Sequence, residues 1–550
     1  MNDLACSRYV HETIDDLLSD QSVELILLYE RREDQPSGKL GRLNQKSRQT
    51  GPLRFINYLT LASYRYSEGK VLSIFSKSIR EHSKNRIVAT SEFADCITTA
   101  PVFSKNQRVC HYSDEDLKKV RDANLDIIVR GNSDAIYHGG ILRASRLGIV
   151  SIHHGDNRWN RSATAAFWEV YRRQPSTGFV IQILSEEPAG GTVLYRGEIV
   201  TKRTYTENLV QLLRESNPFL AFIVRRLLAN DPSIVAEEKR PFAGTNLKEP
   251  SIWRIANYVV KTGVLFAGLL AERKLLKRDH RWGVAYARKN WMDATLSKGK
   301  RIPNPKHRFL ADPFVLKRDG KHYIFAEDYD NRRRLGAVSC IVVEPDDSYR
   351  IIENILPEPF HLSFPLVFEE EGEIFMLPET KESNSIRLYR CVEFPHKWEL
   401  DMELLKDVAA TDTMLIKRQD KWFMLTNINR FATGDNLSQL HVLWSDKLRS
   451  SSWKPISALP VANSSLYGRN AGFLKGRNGE LFRVRQRQDF NQYGAGFSIA
   501  RIKQLDLHGY AEETYAEIEP QFFAGLTGTH HMHSVDDFTV YDFAKVERYT

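Results

Sequence analysis

The sequence predicts two domains of different fold class: an α/β doubly wound sheet in the N-terminal half and an all-β, five-bladed propeller in the C-terminal half. The chain of 550 residues is too long for a single hydrophobic core. Apolar runs such as VELILLY at 23–29 alternate with helical patterns in the first half, as in a parallel sheet. The second half repeats a two-strand pattern about every 50 residues, which is typical of propeller blades. The predicted boundaries are 1–235 for the first domain, 236–280 for a basic helical connector and 281–550 for the propeller.

The composition is that of a globular protein, with 42% hydrophobic and 27% charged residues. Its five cysteines form no CxxC pair, which favours reduced thiols over disulfides or a zinc site. The N-terminus has no basic-then-apolar order, so it is not a signal peptide, and we expect a cytoplasmic protein. The net charge is +9, and much of the excess positive charge lies between Lys239 and Lys306. Because the sequence has no RNA-binding signature, nucleic acid is not an expected partner.

In the first half, strands and helices are predicted to alternate, with Ser113 capping one helix. The predicted elements are helix 9–18, strand 23–29, weaker strands 72–75 and 87–89, helix 114–123, strands 125–129 and 148–153, helix 163–171, strands 177–184 and 192–200, and helix 206–214. No apolar run precedes the first helix, so the first strand of a doubly wound sheet is missing. We hypothesise that the gene begins upstream of the given start, because a missing central strand would leave two sheet edges unpaired.

Five short motifs between 125 and 213 follow one another in a recognisable order. They read LDIIVRGNSDAIYHGGIL, GIVSIHHGDNRWNRSATAAFWEV, STGFVIQIL, EEPAGGTVLYR and TENLVQLL. This order resembles the formyltransferase family, which includes enzymes acting on glycinamide ribonucleotide, methionyl-tRNA and nucleotide-linked amino sugars. The resemblance implies a formyltransferase-like Rossmann domain and 10-formyltetrahydrofolate as the cofactor.

The family's catalytic Asn-x-His pair corresponds here to Ser151 and His153. The resemblance implies that His153 polarises the formyl carbonyl, with Ser151, His154 and Asp156 as helpers. The family's catalytic Asp falls on Ala189, which cannot accept a proton. Two interpretations stay open: an active transferase site, or histidines that end a strand and satisfy loop carbonyls.

The stretch 250–276 is the longest apolar-leaning segment. Arg254 and Lys261 interrupt it, which makes it a poor membrane span. The basic sequence ERKLLKR that follows favours peripheral contact of this connector with anionic lipid. A helix that packs on one of the domains is the other interpretation, and we favour it.

The second half contains five segments that align without gaps, each an apolar strand, a polar turn and a second apolar strand. The segments begin at Asp312, Phe364, Asp412, Ala471 and His530. The position eleven residues after each start is aromatic, and is occupied by Tyr323, Phe375, Phe423, Phe482 and Tyr541. The strand Arg281–Ala287 is predicted to close the ring.

Four motifs of this half resemble the propeller domain linked to glucosamine inositolphosphorylceramide transferases: ADPF…YIFAED, LSFP…FMLPET, FPHKWE and TDT…WFMLTN. The repeat also resembles the five-bladed propellers of glycoside hydrolase family 43. These resemblances imply that residues at the blade starts line a central funnel that holds a hydroxyl-rich ligand. The substrate-binding candidates are Asp312, Phe364, Glu379, Asp412, Arg469, Asn470 and His531.

Hydrolysis is not favoured, because no Glu begins a later blade to serve as the acid. Glu327 and Glu379 lie at the far ends of their hairpins and do not match that position. The cluster of His530, His531 and His533 is interpreted as funnel lining, and no metal is predicted.

Together these features predict a formyltransferase that modifies an amino sugar in surface polysaccharide synthesis, while the propeller holds the carbohydrate. The expected partner is a nucleotide-linked sugar or a glycan. The alternative is a lapsed formyltransferase fold that serves as a scaffold. In that case the propeller is a glycan-binding or glycosyltransferase-associated module.

Overall fold

The structure, a computed structural model, describes residues 1, 5–31, 51–82, 86–104, 109–131, 135–162, 164–245 and 247–548. The chain divides into two compact units, Met1–Leu265 and Phe266–Thr550. Each unit has its own hydrophobic clusters. The boundary falls inside one long helix.

The described helices of the N-terminal unit differ widely in how much they bury. They are α1 (Arg8–Leu18), α2 (Pro52–Phe75), α3 (Lys77–His82), α4 (Asp114–Asp122), α5 (Phe167–Arg172), α6 (Tyr205–Leu228) and α7 (Ile252–Leu270), the last continuing as a π-helical turn at Ala271–Leu275. Helix α6 is the most deeply packed, with fourteen buried residues, whereas α2 has none. Ser113 caps α4 as predicted, since its Oγ accepts the N–H of Asp116 at 3.2 Å.

The strands of this unit belong to four small sheets. They are β1 (Ala5–Cys6), β2 (Ile26–Glu30), β3 (Arg86–Ile87), β4 (Asp95–Thr99), β5 (Val102–Phe103), β6 (Val109–His111), β7 (Ile128–Val129), β8 (Ile136–His138), β9 (Ile149–His153), β10 (Ser176–Ile183) and β11 (Thr192–Val200). The sheet orders are β1-β3, β2-β4, β5-β6-β8 and β11-β10-β9-β7.

The structure does not confirm a doubly wound sheet in the described residues. The parallel pairs β2/β4, β6/β8 and β7/β9 lie in three different sheets. Strands β10 and β11 are antiparallel because the link between them, 184–191, is too short for a parallel crossover. The predicted strand 72–75 is wrong, since those residues end α2. Residue 163, where one helix was predicted to begin, lies outside the described residues.

The C-terminal unit consists of five antiparallel sheets, the blades of a propeller. Blade I contains β14 (Arg308–Arg318), β15 (Lys321–Asp330), β16 (Leu335–Val343) and β17 (Tyr349–Leu356). Blade II contains β18 (Ser363–Glu370), β19 (Glu373–Glu379), β20 (Ser385–Glu393) and β21 (Lys397–Lys406). Blade III contains β22 (Ala410–Arg418), β23 (Lys421–Ile428), β24 (Gln439–Ser445), β25 (Lys454–Pro455) and β26 (Ala462–Asn463). Blade IV contains β27 (Asn470–Lys475), β28 (Leu481–Asp489), β29 (Gln492–Asp506) and β30 (Gly509–Ile518). Blade V contains β32 (Met532–Val535), β33 (Phe538–Arg548), β12 (Arg278–Ala287), β13 (Lys300–Ile302) and β31 (Leu526–Gly528).

Blade V joins the two ends of this unit. Strand β12 pairs antiparallel with β33 over its whole length, from Arg278 opposite Arg548 to Ala287 opposite Thr539. The first strand of each blade contacts that of the next, and β32 contacts both β27 and β14. The ring is therefore closed, which confirms the predicted five-bladed propeller and its closing strand. Closure leaves no open sheet face between the first and last blades.

The repeated aromatic position explains how neighbouring blades pack. Its five residues, Tyr323, Phe375, Phe423, Phe482 and Tyr541, are all buried. Large rings at the same point of each second strand fill the space between adjacent sheets. The sequence period thus reflects one packing requirement met five times.

We predict that Val284→Ala destabilises the propeller by about 2 kcal/mol, through lost burial and the cavity left behind. Val284 lies on the closing strand, fully buried against a cluster that includes Val540. Val392→Ala, at a strand position that is 40% exposed, is the matched control, and we expect a change within about 0.5 kcal/mol. Denaturant unfolding followed by circular dichroism measures both. Equal effects would contradict the assigned closing role of this strand.

Candidate functional site

Three blades begin with the same strained turn. Asp312, Phe364 and Asp412 have φ values of 49°, 47° and 47°, in the left-handed region. Each sits in a β-bulge where its strand slips register against the second strand of the blade. Such conformations cost about 1–3 kcal/mol for residues other than glycine and tend to cluster at functional sites. The bulge places these three residues at the same end of the ring.

A second row of polar side chains lies at that end, fifteen residues after each repeat start. It consists of Glu327, Glu379, Asn427 and Gln486. Glu379 was predicted to contact the ligand, whereas Glu327 was not among the candidates because it lies at the far end of its hairpin. A hairpin returns its far end to its start, so Ala311 is opposite Glu327 and Ser363 is opposite Glu379. The last column of the aligned repeats, always polar in these four, was the signal that could have located this row.

We use the name funnel for a set of side chains that includes members of the two rows and their neighbours. The set consists of Asp312, Glu327, Glu379, Asp412, Arg469, Gln486, Tyr493 and His530. Arg469 is its main cation. Its Nε contacts Asp412 Oδ2, its Nη2 lies 3.3 Å from Asp412 Oδ1, and Glu379 Oε2 is 4.0 Å away. Gln486 Nε2 donates to Asp412 Oδ2 at 3.3 Å. Asp412 is therefore neutralised by a close partner, while Glu379 is only approached by the same guanidinium.

Three funnel carboxyls are strongly perturbed. Burial, together with the nearby charge of Asp412, raises the pKa of Glu379 to about 8. Burial raises the pKa of Asp312 to about 7 against the opposing charge of His530. The pKa of Glu327 is also raised well above its usual value, by burial and by the charges of Asp312 and Glu379. Near neutral pH this cluster therefore holds protons that an approaching cation would displace.

His530 links two carboxylates. Its Nδ1 contacts Asp542 Oδ2, and its Nε2 lies 3.5 Å from Asp312 Oδ1. Asp542 Oδ1 also accepts the backbone N–H groups of His530 and His531 at 2.8 and 3.0 Å. Trp282 stacks on His530 with ring centroids 3.9 Å apart. Asp542 and Trp282 were missed, because neither occupies a repeat start.

The atoms of Asp312, His530 and Asp542 lie close enough together to surround a metal ion, within 4.8 Å of one another. Each imidazole nitrogen lies near one carboxylate oxygen, but Nδ1 of His530, Oδ1 of Asp312 and Oδ2 of Asp542 are buried without a hydrogen-bond partner among the described residues. The negative partners accordingly raise the pKa of His530 despite its burial.

The rim of the funnel is aromatic. Tyr493 is 42% exposed, and Arg469 lies 5.1 Å from its ring centroid. The ring also meets Trp282 and His530 edge-on. A ligand that enters the funnel would therefore meet the Tyr493 ring before it reaches the carboxyls.

Three residues that were predicted to contact the ligand are buried too deeply to reach it. Phe364 and His531 are fully buried and pack against Phe314, with ring centroids 4.9 and 4.6 Å away. Asn470 is also fully buried, and its Nδ2 donates to the carbonyls of Asp412 and Leu425. These side chains build the floor of the funnel and do not face a ligand.

In the N-terminal unit three predicted catalytic residues, Ser151, His153 and His154, line one cavity, whereas Asp156 is not among its lining residues. Ser151 Oγ is directed at the carbonyl of Ile152 at 3.4 Å. His153 Nε2 is bound to the carbonyl of Asn160 at 2.9 Å. Burial lowers the pKa of His153 and brings that of His154 to about 3, so both rings are neutral. His153 therefore satisfies a loop carbonyl, whereas Nε2 of His154 is buried without a hydrogen-bond partner in the described part of the chain.

Asp156 is held in a salt-bridge network. Its carboxylate contacts Arg158 at 2.5 Å and Arg196 at 2.6 Å. These arginines in turn reach Glu198 and Glu237 at 2.9 and 2.8 Å. A carboxylate with two guanidinium partners is a poor proton acceptor, because protonation would leave both cations unpaired.

Residues 294–526 match the family model described as glucosamine inositolphosphorylceramide transferase 1, N-terminal. The chain is 31% identical over 217 residues to the Arabidopsis thaliana protein of that name, a match covering 39% of this chain and 27% of the relative. The protein of the same name from Oryza sativa subsp. japonica is 28% identical over 208 residues, covering 37% and 27%. The match thus spans about a quarter of the length of these relatives.

Two solved structures illustrate what part of this chain resembles in fold. The α-L-arabinofuranosidase PaAbf62A from Podospora anserina has a TM-score of 0.33 and 10% identity, over 44% of this chain and 91% of that one. The glycoside hydrolase family 43 protein BlXynB from Bacillus licheniformis has a TM-score of 0.29 and 14% identity, over 41% and 47%.

The predicted formyl-transfer function is wrong. The family model and the curated relatives that match this chain are glucosamine inositolphosphorylceramide transferases. These findings agree better with the alternative of a glycosyltransferase-associated propeller. The folate cofactor and the cytoplasmic location stay untested predictions.

We predict that Glu379→Gln flattens the decline of propeller stability between pH 5 and pH 8. The folded pKa of about 8 lies above the unfolded value, so the native state binds more protons and loses stability as pH rises through this window. Each unit of difference is worth about 1.4 kcal/mol. Glu369→Gln, an exposed position on the neighbouring strand, is the control. Thermal unfolding at both pH values measures the slope, and a wild-type slope in Glu379→Gln would refute the prediction.

Proposed function

We propose that the propeller binds a glycan carrying a free amino sugar in its funnel, and that the chain works as a glycosyltransferase-associated module. The observation that carries this proposal is the excess of buried carboxyl groups. Asp312, Glu327, Glu379 and Asp412 lie near one another, and their mutual repulsion helps to raise the pKa values of the first three.

The basic groups beside these carboxyls are too few to neutralise them. Arg469 pairs with Asp412, and His530 is shared between Asp312 and Asp542. His361 lies 3.5 Å from Glu327, but burial lowers its pKa and keeps it neutral. An ammonium group on the ligand would supply the missing positive charge and would form charge-assisted hydrogen bonds in a site poor in water.

The rim suits the remainder of a sugar. The exposed ring of Tyr493 offers an apolar face for the C–H groups of a pyranose. Arg469, whose guanidinium lies 5.1 Å from the centroid of this ring, would supply an N–H donor for a sugar hydroxyl. Aromatic stacking outside and charge pairing inside would together fix the orientation of the ligand.

The names of the relatives support this ligand class. They combine glucosamine, an amino sugar, with inositolphosphorylceramide. Because the match spans about a quarter of those proteins, transferase activity in this chain is a proposal, as is a nucleotide-linked form of the sugar. We assign the N-terminal unit a scaffold role. Membrane contact, the other predicted partner, depends on α7 and not on the funnel.

We expect the full-length chain to bind glucosamine at least tenfold more tightly than N-acetylglucosamine, because acetylation removes the cationic amine. Isothermal titration calorimetry at pH 7.5 measures both affinities. Glu379→Gln should weaken glucosamine binding about tenfold or more, since it removes a charge-assisted bond. Glu369→Gln should bind as the wild type does.

Binding should also release protons, because the ammonium shifts Glu379 and Asp312 towards their charged forms. Affinity is expected to rise between pH 6 and pH 8, the range of their pKa values of about 8 and about 7, until the amine loses its own proton. Titrations in buffers of different ionisation enthalpy count the protons released. Equal affinity for both sugars, without proton release, would eliminate the amino-sugar proposal.

A further inference from the structure

Helix α7 with its π-helical turn is long and apolar enough, by length and composition alone, to cross a membrane. Its most apolar window has a mean hydropathy of 1.3, yet only 11% of that window is buried. Such exposure is unusual for a helix that belongs to the core of a water-soluble domain. The described residues of the protein therefore leave most of this apolar helix uncovered.

One narrow stripe of α7 packs onto the N-terminal unit. Ile255 and Tyr258 are its buried residues. The Tyr258 hydroxyl donates to Glu68 at 2.7 Å and receives the backbone N–H of Tyr205 at 2.7 Å. The Tyr258 ring also meets Tyr64 edge-on, with centroids 5.4 Å apart. This side of the helix is firmly attached to protein.

The two charged residues that made this segment a poor membrane span belong to the attached side. Arg254 lies 5.1 Å from the ring centroid of Trp168, and the ammonium of Lys261 lies 4.9 Å from that of Tyr171. At positions four before and three after Tyr258, both share its face of the helix. Their charges therefore do not interrupt the opposite face.

The opposite face is apolar along the helix. Trp253, Val260, Val264 and Leu270 are 82%, 63%, 67% and 57% exposed. Between Lys261 and Glu272 the sequence contains no charged residue. A continuous apolar face of this length on one side of an anchored helix is typical of interfacial helices.

The apolar face ends in an exposed basic segment. Arg273, Lys274, Lys277 and Arg278 are exposed and outnumber the acidic Glu272 and Asp279. Cations at the end of an apolar face complement the anionic headgroups of a bilayer. A second protein surface would not need this combination of an apolar face and a terminal basic cluster.

We propose that α7 lies in the headgroup region of an anionic membrane, with its apolar face inserted and its basic end bound to lipid phosphates. It does not span the bilayer, because spanning would detach Tyr258 from Glu68 and transfer Arg254 and Lys261 into hydrocarbon. The proposal is independent of the sugar-binding function, since none of its residues belongs to the funnel.

Flotation of the full-length chain with phosphatidylcholine vesicles, with and without phosphatidylserine, tests this proposal. We expect binding to the anionic vesicles that weakens as salt is raised. The double variant Val260→Asp with Val264→Asp should reduce the bound fraction about tenfold. Val235→Asp, an equally exposed valine at 72% exposure, is the matched control and should bind as the wild type does.

A second variant separates the two contributions. Lys274→Glu with Lys277→Glu should abolish the preference for anionic vesicles while the protein stays folded by circular dichroism. Binding that survives both double variants, or no binding to anionic vesicles at all, would overturn the proposal. So would sedimentation of the free chain as a dimer that Val260→Asp with Val264→Asp dissociates, because the apolar face would then be covered by a second copy.

Discussion

The funnel depends on one strand pair, the antiparallel match of β12 with β33 that joins the two ends of the propeller. Asp312 comes from blade I, whereas His530 and Asp542 come from blade V. These residues approach one another only if the ring closes. Trp282, which stacks on His530, is itself part of the closing strand. Closure therefore brings Asp312, His530 and Asp542 together, as it closes the fold, and completes the part of the funnel that lies between the first and last blades.

The closed ring also accounts for the unfavourable features of the site. Left-handed φ angles at Asp312, Phe364 and Asp412 and a group of buried carboxyls both oppose folding locally. They persist because five sheets, each with its aromatic layer, fix the backbone around them. A positively charged ligand would relieve the repulsion among the carboxyls, whereas a neutral sugar would not.

The propeller was predictable because its information is periodic. Five repeats in register gave the blade count, the aromatic layer and the residues of the bulges such as Asp412. Glu327 was left out of the predicted site because a sequence shows distance along a strand, not the return of a hairpin, which brings Glu327 opposite Ala311. Asp542 lies inside the fifth repeat but away from its start, and Tyr493 lies outside the repeats, so both meet the funnel through contacts that the repeat does not encode. In the N-terminal unit, a motif order favoured one continuous sheet, but pairing registers decide sheet composition and short motifs do not encode them.

The two units contain buried acidic groups in opposite electrostatic states, and this contrast argues for the location of function. Around Asp156, two arginines face three carboxylates, and each of these carboxylates has a guanidinium partner within 3 Å. In the funnel, Arg469 and His530 leave Glu327 and Glu379 without a full partner. A compensated network stabilises one conformation, whereas an uncompensated one creates affinity for whatever supplies the missing charge. This contrast supports the proposal that ligand binding belongs to the propeller and not to the HHGD segment.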